Sequence, residues 1–540
     1  MTQTIENPIL RGFNPDPAIC RVEDDYYIAT STFEWFPGCQ IHHSKDLVNW
    51  RLVRRPLERV SQLDMRGVPD SCGVWAPCLT YHGGVFYLLY SNVRSFQGTW
   101  KDMPNYLVTA TDIMGEWSEP VYLNSTGFDA SLFHDDNGKC YLVNTLVDHR
   151  HNRLFGGIVL QEYDRAQQQL VGQVQHIFSG TEHGCTEGPH LYRRDGWYYL
   201  LVAEGGTGYD HCMSVARSRS IEGPYEVHPD NPVLTSKYEP HAYLQKTGHG
   251  GFVQTQNGSW YTTFLTGRPL SERGRCILGR ESGIERLQWC EDGWPRLAHG
   301  GQVARRLVEA PGLPPHPYPT PPTRVEFTGD EIGLQFQALR VPMTKDWASL
   351  DTRAGFLRIT GRESLSSGFN QSLVARRIQA HHTEAATCVE FEPRTFQQMA
   401  GLVCYYNSQH YHYLHVYGDD VGRGDKVEPP RKYLNICTST AAGISEPLAS
   451  AIEITGSVRI YLKVDFNGAN LRFYFGLEQD QWQPVGPLLD GSILSDDYVE
   501  RSGTQAFYPC FTGAFFGICC QDLSGSELHA DFAWFDYQEH

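Results

Sequence analysis

At 540 residues the chain is too long for one ordinary hydrophobic core and points to two or three domains. Its 41% hydrophobic and 20% charged residues are those of a water-soluble globular protein, with a somewhat rich 12% aromatic content. A net charge of −17 argues against nucleic acid or an anionic membrane as partner, and leaves a neutral ligand such as a sugar open.

The opening residues, Met1-Thr2-Gln3-Thr4-Ile5-Glu6-Asn7-Pro8, carry no basic region followed by an apolar stretch, and no apolar run approaches a membrane span. The expectation is a cytoplasmic protein. Fifteen cysteines, an odd number without a Cys-x-x-Cys pair, fit free thiols in a reducing compartment. The adjacent Cys519 and Cys520 read as small core residues on a strand rather than a redox pair.

Five times in the first 265 residues a tight-turn pair is followed by an aromatic-rich strand. The copies are Asp24-Asp25-Tyr26-Tyr27, Gly83-Gly84-Val85-Phe86-Tyr87, Asn137-Gly138-Lys139-Cys140-Tyr141, Asp195-Gly196-Trp197-Tyr198-Tyr199 and Asn257-Gly258-Ser259-Trp260-Tyr261, their last tyrosines 60, 54, 58 and 62 residues apart. Each predicts a two-residue hairpin turn with positive φ. A supersecondary unit repeating at this period has room for about four strands, one propeller blade. The prediction is an all-β chain opening with a five-bladed β-propeller over 1–308. The phrases Ser44 to Trp50, Thr111 to Trp117 and, more weakly, Arg217 to Tyr225 read as structural outer-strand hairpins, an aliphatic residue and an aromatic packing between blades.

Residues 309–324 hold seven prolines and predict a stiff extended linker. From 325 to 540 the chain reads as short alternating strands, predicting an antiparallel, jelly-roll-like β-sandwich. Within it, strand alternation puts His410 and His412 on one face and His415 on the other, which speaks against a metal cluster there.

Eleven or twelve residues before each final tyrosine stand Asp16, Trp75-Ala76, Asp129, Glu187 and His249. The first strand of a blade lines the central channel, so residues at one phase of successive blades converge on one mouth. Prolines on both sides fix the backbone of Asp16. A single acid at such a place reads as a turn cap. Three at matching phase read as a site, because crowding like charges raises a pKa and leaves a protonated acid beside an ionised base. Two carboxyl groups in those opposite states are what cleavage of a glycosidic bond requires. Trp75 offers an aromatic face to a sugar or packs between blades, and Arg280 is a further candidate for binding hydroxyls. No Walker loop, His-Glu-x-x-His or Gly-x-Ser-x-Gly motif is present.

The stretches Asn7 to Leu10 with Gly12 to Pro17, Ser31 to Gly38, Gly73 to Pro77, Gly127 to Asp135, Thr186 to Tyr192, Ala203 to Thr207, Gly279 to Glu281 and Phe511 to Phe515 resemble glycoside hydrolase family 43, in particular its two-domain β-xylosidases and α-L-arabinofuranosidases. By that resemblance Asp16 is the general base, Glu187 the general acid, and Asp129 the third acid that holds Glu187 and raises its pKa. Cleavage inverts the anomeric carbon. Phe33, Trp75, Thr207 and Arg280 line the pocket of the non-reducing sugar. His249 holds a water or a cation on the propeller axis, calcium in some relatives, with no cofactor required. Phe511 is lent by the sandwich domain, which closes the cleft and enforces removal of single terminal sugars. The resemblance also leaves open a homo-oligomer, dimer or tetramer. Two departures bear on the leaving-group side: Val147 stands where many relatives carry tryptophan, and the loop 267–279 is shorter than in many.

The expectation is therefore an exo-acting inverting glycosidase that releases terminal xylose from β-1,4-xylo-oligosaccharides, with side activity on α-L-arabinofuranosides or arabinosylated oligosaccharides. The alternatives are a main α-L-arabinofuranosidase, an endo-arabinanase, disfavoured by the second domain, and a glycan-binding or scaffolding propeller, to which three intact acids would be useless.

Overall fold

In the computed structural model, which describes residues 3–96, 98, 100–150, 153–419, 430–502 (backbone only at 501 and 502) and 510–540, the chain divides by contact into two units. The first comprises residues 1–34, 38–273 and 280–319; the second comprises 35–37, 274–279 and 320–540. The division in the proline-rich stretch falls after Pro319. Two short pieces of the sequence assigned to the propeller are thus corrected to the second unit. Their bonds explain it: Ala514 donates its N–H to Ile277 O, Arg275 reaches Asp490 and Ser492, and Cys276 donates its N–H to Asp497.

Among the described residues the first unit holds five antiparallel blades in chain order. Blade I is Ala18–Val22, Asp25–Thr30, Gln40–Ser44 and Arg51–Arg54; blade II is Gly73–His82, Val85–Val93, Asn105–Ala110 and Val121–Asn124. Blade III is Gly127–His134, Cys140–Val147, Phe155–Asp164 and Gln169–Phe178. Blade IV is Glu187–Arg194, Trp197–Glu204, Cys212–Ser218 and Glu226–Val227, with Leu234–Thr235 beside its third strand. Blade V is Gln245–Gly248 with Phe252–Gln254, then Trp260–Gly267, Glu281–Trp289 and Pro295–Leu297.

The repeated turn phrases each join a first strand to a second, but only three are two-residue turns. Gly83-Gly84 and Asp195-Gly196 have positive φ at both positions, and Glu23-Asp24 at the first. In blades III and V the turn lengthens to residues 135–139 and 255–259, where only Gly138 and Gly258 are left-handed. Apolar side chains pack between blades, as Leu89 with Leu132, Val143 with Leu200 and Leu201 with Phe264. The outer phrases are structural: the rings of Trp50, Trp117 and Tyr225 each donate to the carbonyl of Leu47, Ile113 and Ile221.

The ring of blades is closed by the chain's start. Thr4–Glu6 pairs with Leu307–Glu309, and the Asn7 amide bonds both N–H and C=O of Ile284 in blade V.

The second unit is a sandwich of two antiparallel sheets, one of eight strands that includes Leu357–Thr360, His382–Glu390, Arg459–Asn467 and His529–Glu539. The other, of seven, includes Gln398–Asn407, His410–Gly418, Lys432–Thr440 and Phe515–Asp522. Inward apolar residues such as Phe466 and Phe516 meet between them. The piece Trp35–Phe36 pairs with Ala338–Leu339, and the Trp35 ring stacks on Phe515 at 3.8 Å. His410, His412 and His415 are all buried and bonded to Asn407, to Thr438 and Asp490 O, and to Tyr413 O. All fifteen cysteines are thiols outside any disulfide, and Cys519 and Cys520 are buried on a strand. Among the described residues no helix is long and apolar enough to cross a membrane.

Candidate active site

Each blade carries one left-handed residue at the same phase, in or next to its first strand. Asp16, Ala76, Asp129 and His249 take left-handed φ of +57, +32, +54 and +37°, and Gly188 takes +58°. In blades II to V the ladder register shifts at or beside that point. A bulge with one left-handed residue re-aims the neighbouring side chains. Left-handed φ at non-glycine residues costs about 1–3 kcal/mol each and is found where function demands it. Proline follows in three blades, at Pro17, Pro77 and Pro189, where a ladder donor is dispensable.

This common kink refines the alignment of the acids. Asp16 and Asp129 occupy the left-handed position itself, whereas Glu187 stands one residue earlier, level with Trp75. Their charges nevertheless act on one another. Asp16 accepts from Ser31 Oγ at 2.5 Å and faces His249 Nδ1 at 3.6 Å and Arg280 Nη1 at 3.8 Å. Asp129 Oδ2 accepts the backbone N–H of Gly188 at 3.0 Å. All three acids are 7% exposed.

Bonds between blades hold the ring of kinks together. Ser31 Oγ of blade I accepts the N–H of Ala76 in blade II at 2.7 Å. Ser131 of blade III donates to Pro189 O of blade IV, and Thr263 of blade V to Pro17 O beside blade I.

Electrostatics separates the acids. Burial, reinforced by the charge of Asp16 and opposed by Arg280, pushes the Glu187 carboxyl up to about 8. Burial also pushes Asp129 well above the usual carboxylate range, with Glu187 and Asp16 adding to it and the Gly188 N–H and Arg280 opposing. The two share their protons, and their bonding says where a proton rests. The Gly188 N–H stabilises an anion on Asp129, while Glu187 Oε1 is buried with no hydrogen-bond partner among the described residues. The proton belongs on Glu187. Burial pulls His249 down, against Asp16, so its imidazole is neutral at neutral pH.

Of the expected pocket residues, Phe33, Trp75 and Arg280 lie together. Phe33, left-handed at +49° on the loop between the second and third strands of blade I, exchanges both backbone bonds with Val74. Its ring lies 6.0 Å from that of Trp75, and the Arg280 guanidinium sits 5.5 Å over it. Trp75 donates Nε1 to Ser71 O and packs against Phe96 and Phe128, so it serves inter-blade packing. Thr207 is half-buried just after the second strand of blade IV, past the left-handed Gly205 and Gly206. Val147 ends the second strand of blade III. Phe511 belongs to the second unit, half-buried ahead of the strand Phe515–Asp522.

Two functional groups were missed from the sequence. Ser31 bonds Asp16 directly, and Glu204 bonds the segment leading into Glu187. Both lie in stretches that carried the family resemblance, yet hydroxyls and acids outside the repeat phase gave no signal of their own.

The residues 5–295 match the model of "Glycosyl hydrolases family 43", and 324–538 that of "Beta xylosidase C-terminal Concanavalin A-like domain". The chain is 50% identical to a "Beta-xylosidase" of Bacillus subtilis over 99% of both chains. It is 47% identical to "Xylosidase/arabinosidase 43B" of Humicola insolens, over 99% of this chain and 97% of the relative. The crystal structure of a xylan beta-1,4-xylosidase from Bacillus halodurans superposes with a TM-score of 0.94 at 50% identity, covering 99% of this chain and all of that one. With an acid trio, a cationic arginine and aromatic rings at one mouth of a five-bladed propeller, and with family models matching both halves, the chain is a glycoside hydrolase and belongs to family 43.

Proposed function

We propose that this enzyme removes terminal xylose from the non-reducing ends of β-1,4-xylo-oligosaccharides with inversion of the anomeric carbon. The observation that carries the reading is the pairing of a Glu187 carboxyl raised to about 8 with an Asp16 carboxyl faced by a hydroxyl and a guanidinium. Glu187 gives its proton to the glycosidic oxygen as the bond to the leaving sugar breaks. Asp16 takes a proton from a water that attacks the opposite face of the ring. Asp129 is held beside the general acid by the Gly188 N–H, and Arg280, stacked over Phe33, binds sugar hydroxyls while drawing the Asp16 carboxylate into place. Trp75 and Phe33 give the sugar's apolar face a wall. The printed names of the relatives support xylose as the sugar.

Both proton transfers are supplied by carboxyl groups, so the reaction calls for no cofactor. As for a cation beside His249, no group of three or more His, Cys, Asp or Glu side chains among the described residues is placed to ligate a metal.

A second reading, α-L-arabinofuranosidase as main activity, is favoured by the Humicola insolens relative, whose name joins both activities. Initial rates on p-nitrophenyl β-D-xylopyranoside, p-nitrophenyl α-L-arabinofuranoside and xylobiose separate the two. Rapid cleavage of the xyloside and xylobiose is expected, with α-xylose as the first product seen by NMR. Arabinofuranoside turnover with xylobiose untouched overturns the xylosidase reading, and β-xylose as first product overturns inversion.

A further inference from the structure

Glu204, the last residue of the second strand of blade IV, is fully buried and has no salt-bridge partner among the described residues. Its carboxylate is held by three neutral donors. Oε1 accepts the N–H of Thr181 at 2.7 Å and the hydroxyl of Thr186 at 2.9 Å, and Oε2 accepts the Thr181 hydroxyl at 2.6 Å. Both threonines lie on the segment that runs from blade III into Glu187. Gly180 starts that segment at φ +88°, and a Cβ there would stand 1.9 Å from Thr186 Oγ1 and 3.2 Å from Glu204 Oε1. The N–H of Gly205 adds a bond to Gly184 O at 2.8 Å.

A carboxyl buried this fully must have its oxygens satisfied, and here all three printed bonds go to the one segment that leads into Glu187. Glu187 Oε1 itself has no hydrogen-bond partner among the described residues, so at that atom the acid's aim is left to its backbone. Residue 188 is fixed by Asp129 through its N–H, and residue 186 by Glu204 through its hydroxyl. Two buried carboxylates thus bracket the general acid in sequence.

We infer that Glu204 is a positioning residue for the general acid, holding Thr186 so that the Glu187 carboxyl points at the leaving oxygen. The inference rests on the glycosidase reading given above. Only the acid's aim depends on it, not water activation at Asp16. In Glu204→Gln the amide replaces one acceptor with a donor and opposes a threonine donor.

The test is a series of aryl glycosides of graded leaving-group ability, built on whichever sugar the wild type cleaves. A failure of the xylose assignment then leaves the test intact. The expected result for Glu204→Gln is a loss of roughly 10-fold or more in kcat for poor leaving groups, where proton donation matters. Dinitrophenyl glycosides, which leave without an acid, should stay within about three-fold of wild type. The alkaline limb of the pH profile moves as well. Thr186→Val should reproduce the pattern and Thr186→Ser should restore it; this pair decides the matter if Glu204→Gln does not fold. Equal losses across the series, or no loss, would overturn the assignment, since a role in stability alone lowers Tm without steepening the leaving-group dependence.

Discussion

Asp129 and Glu187 are treated oppositely by the backbone between them: the Gly188 N–H bonds Asp129 Oδ2 at 3.0 Å, and Glu187 Oε1 is left buried and unbonded. Burial penalises both as anions, and the Gly188 N–H offsets part of that penalty at Asp129. This sets the pH behaviour. Glu187 must be protonated to act, so kcat/KM on xylobiose should fall above pH about 8, where the carboxyl ionises. The family resemblance also gives Asp129 the task of raising the acid's pKa, and on that reading the alkaline limb of Asp129→Asn should move to lower pH. A limb that stays in place would remove Asp129 from the control of Glu187.

The same shift has a consequence for stability, with a definite sign. A carboxyl whose folded pKa is raised binds its proton more tightly in the native state. Its favourable contribution is complete below the unfolded pKa and is lost as pH rises through about 8. Glu187→Gln cannot ionise and escapes that loss. Its Tm should exceed that of the wild type at pH 9 by a few degrees and by less at pH 5. Thermal melts at the two pH values check this, and a constant difference would mean that burial of the charge is not the cause.

The two acids are told apart by leaving group. Glu187→Ala should lose about 10²–10⁴-fold on xylobiose yet keep most activity on dinitrophenyl xyloside. Asp16→Ala should lose activity on both, because water must be activated whatever departs. Identical behaviour of the two variants on the activated substrate would reverse or dissolve the assignment.

The repeat made the propeller legible, since turn glycines and strand aromatics are local signals that survive without any tertiary information. The candidate site was inferred for a related reason: residues at one phase of a repeat share one place on the axis. Phase is coarser than geometry, however. Glu187 precedes the left-handed residue of its blade while Asp16 and Asp129 occupy theirs. The capture of residues 274–279 by the second unit depends on Asp490, Ser492 and Asp497, more than two hundred residues away, and nothing local announces it.

Ser31 deserves a test because it joins two blades at the base of the site. It donates to Asp16 Oδ2 and accepts the N–H of Ala76. A hydrogen bond to a charged group is worth about 1.5–3 kcal/mol, and its loss leaves Asp16 free to turn. Ser31→Ala should lower kcat roughly 10- to 100-fold, equally for xylobiose and dinitrophenyl xyloside. A loss confined to xylobiose would place Ser31 with the acid rather than the base.

Val147 ends the second strand of blade III, the blade that supplies Asp129, and it is half-buried. We propose that it faces the leaving sugar, where an aliphatic side chain gives little stacking. Val147→Trp would add an aromatic face, and such contacts are worth about 0.5–1.5 kcal/mol between rings. The expected result is a fall in KM for xylobiose of about 2- to 10-fold, with KM for an alkyl xyloside, whose leaving group has no ring, unchanged. If both constants fell together, the added ring would be acting on the terminal xylose itself. Position 147 would then belong to the pocket rather than to the leaving-group side.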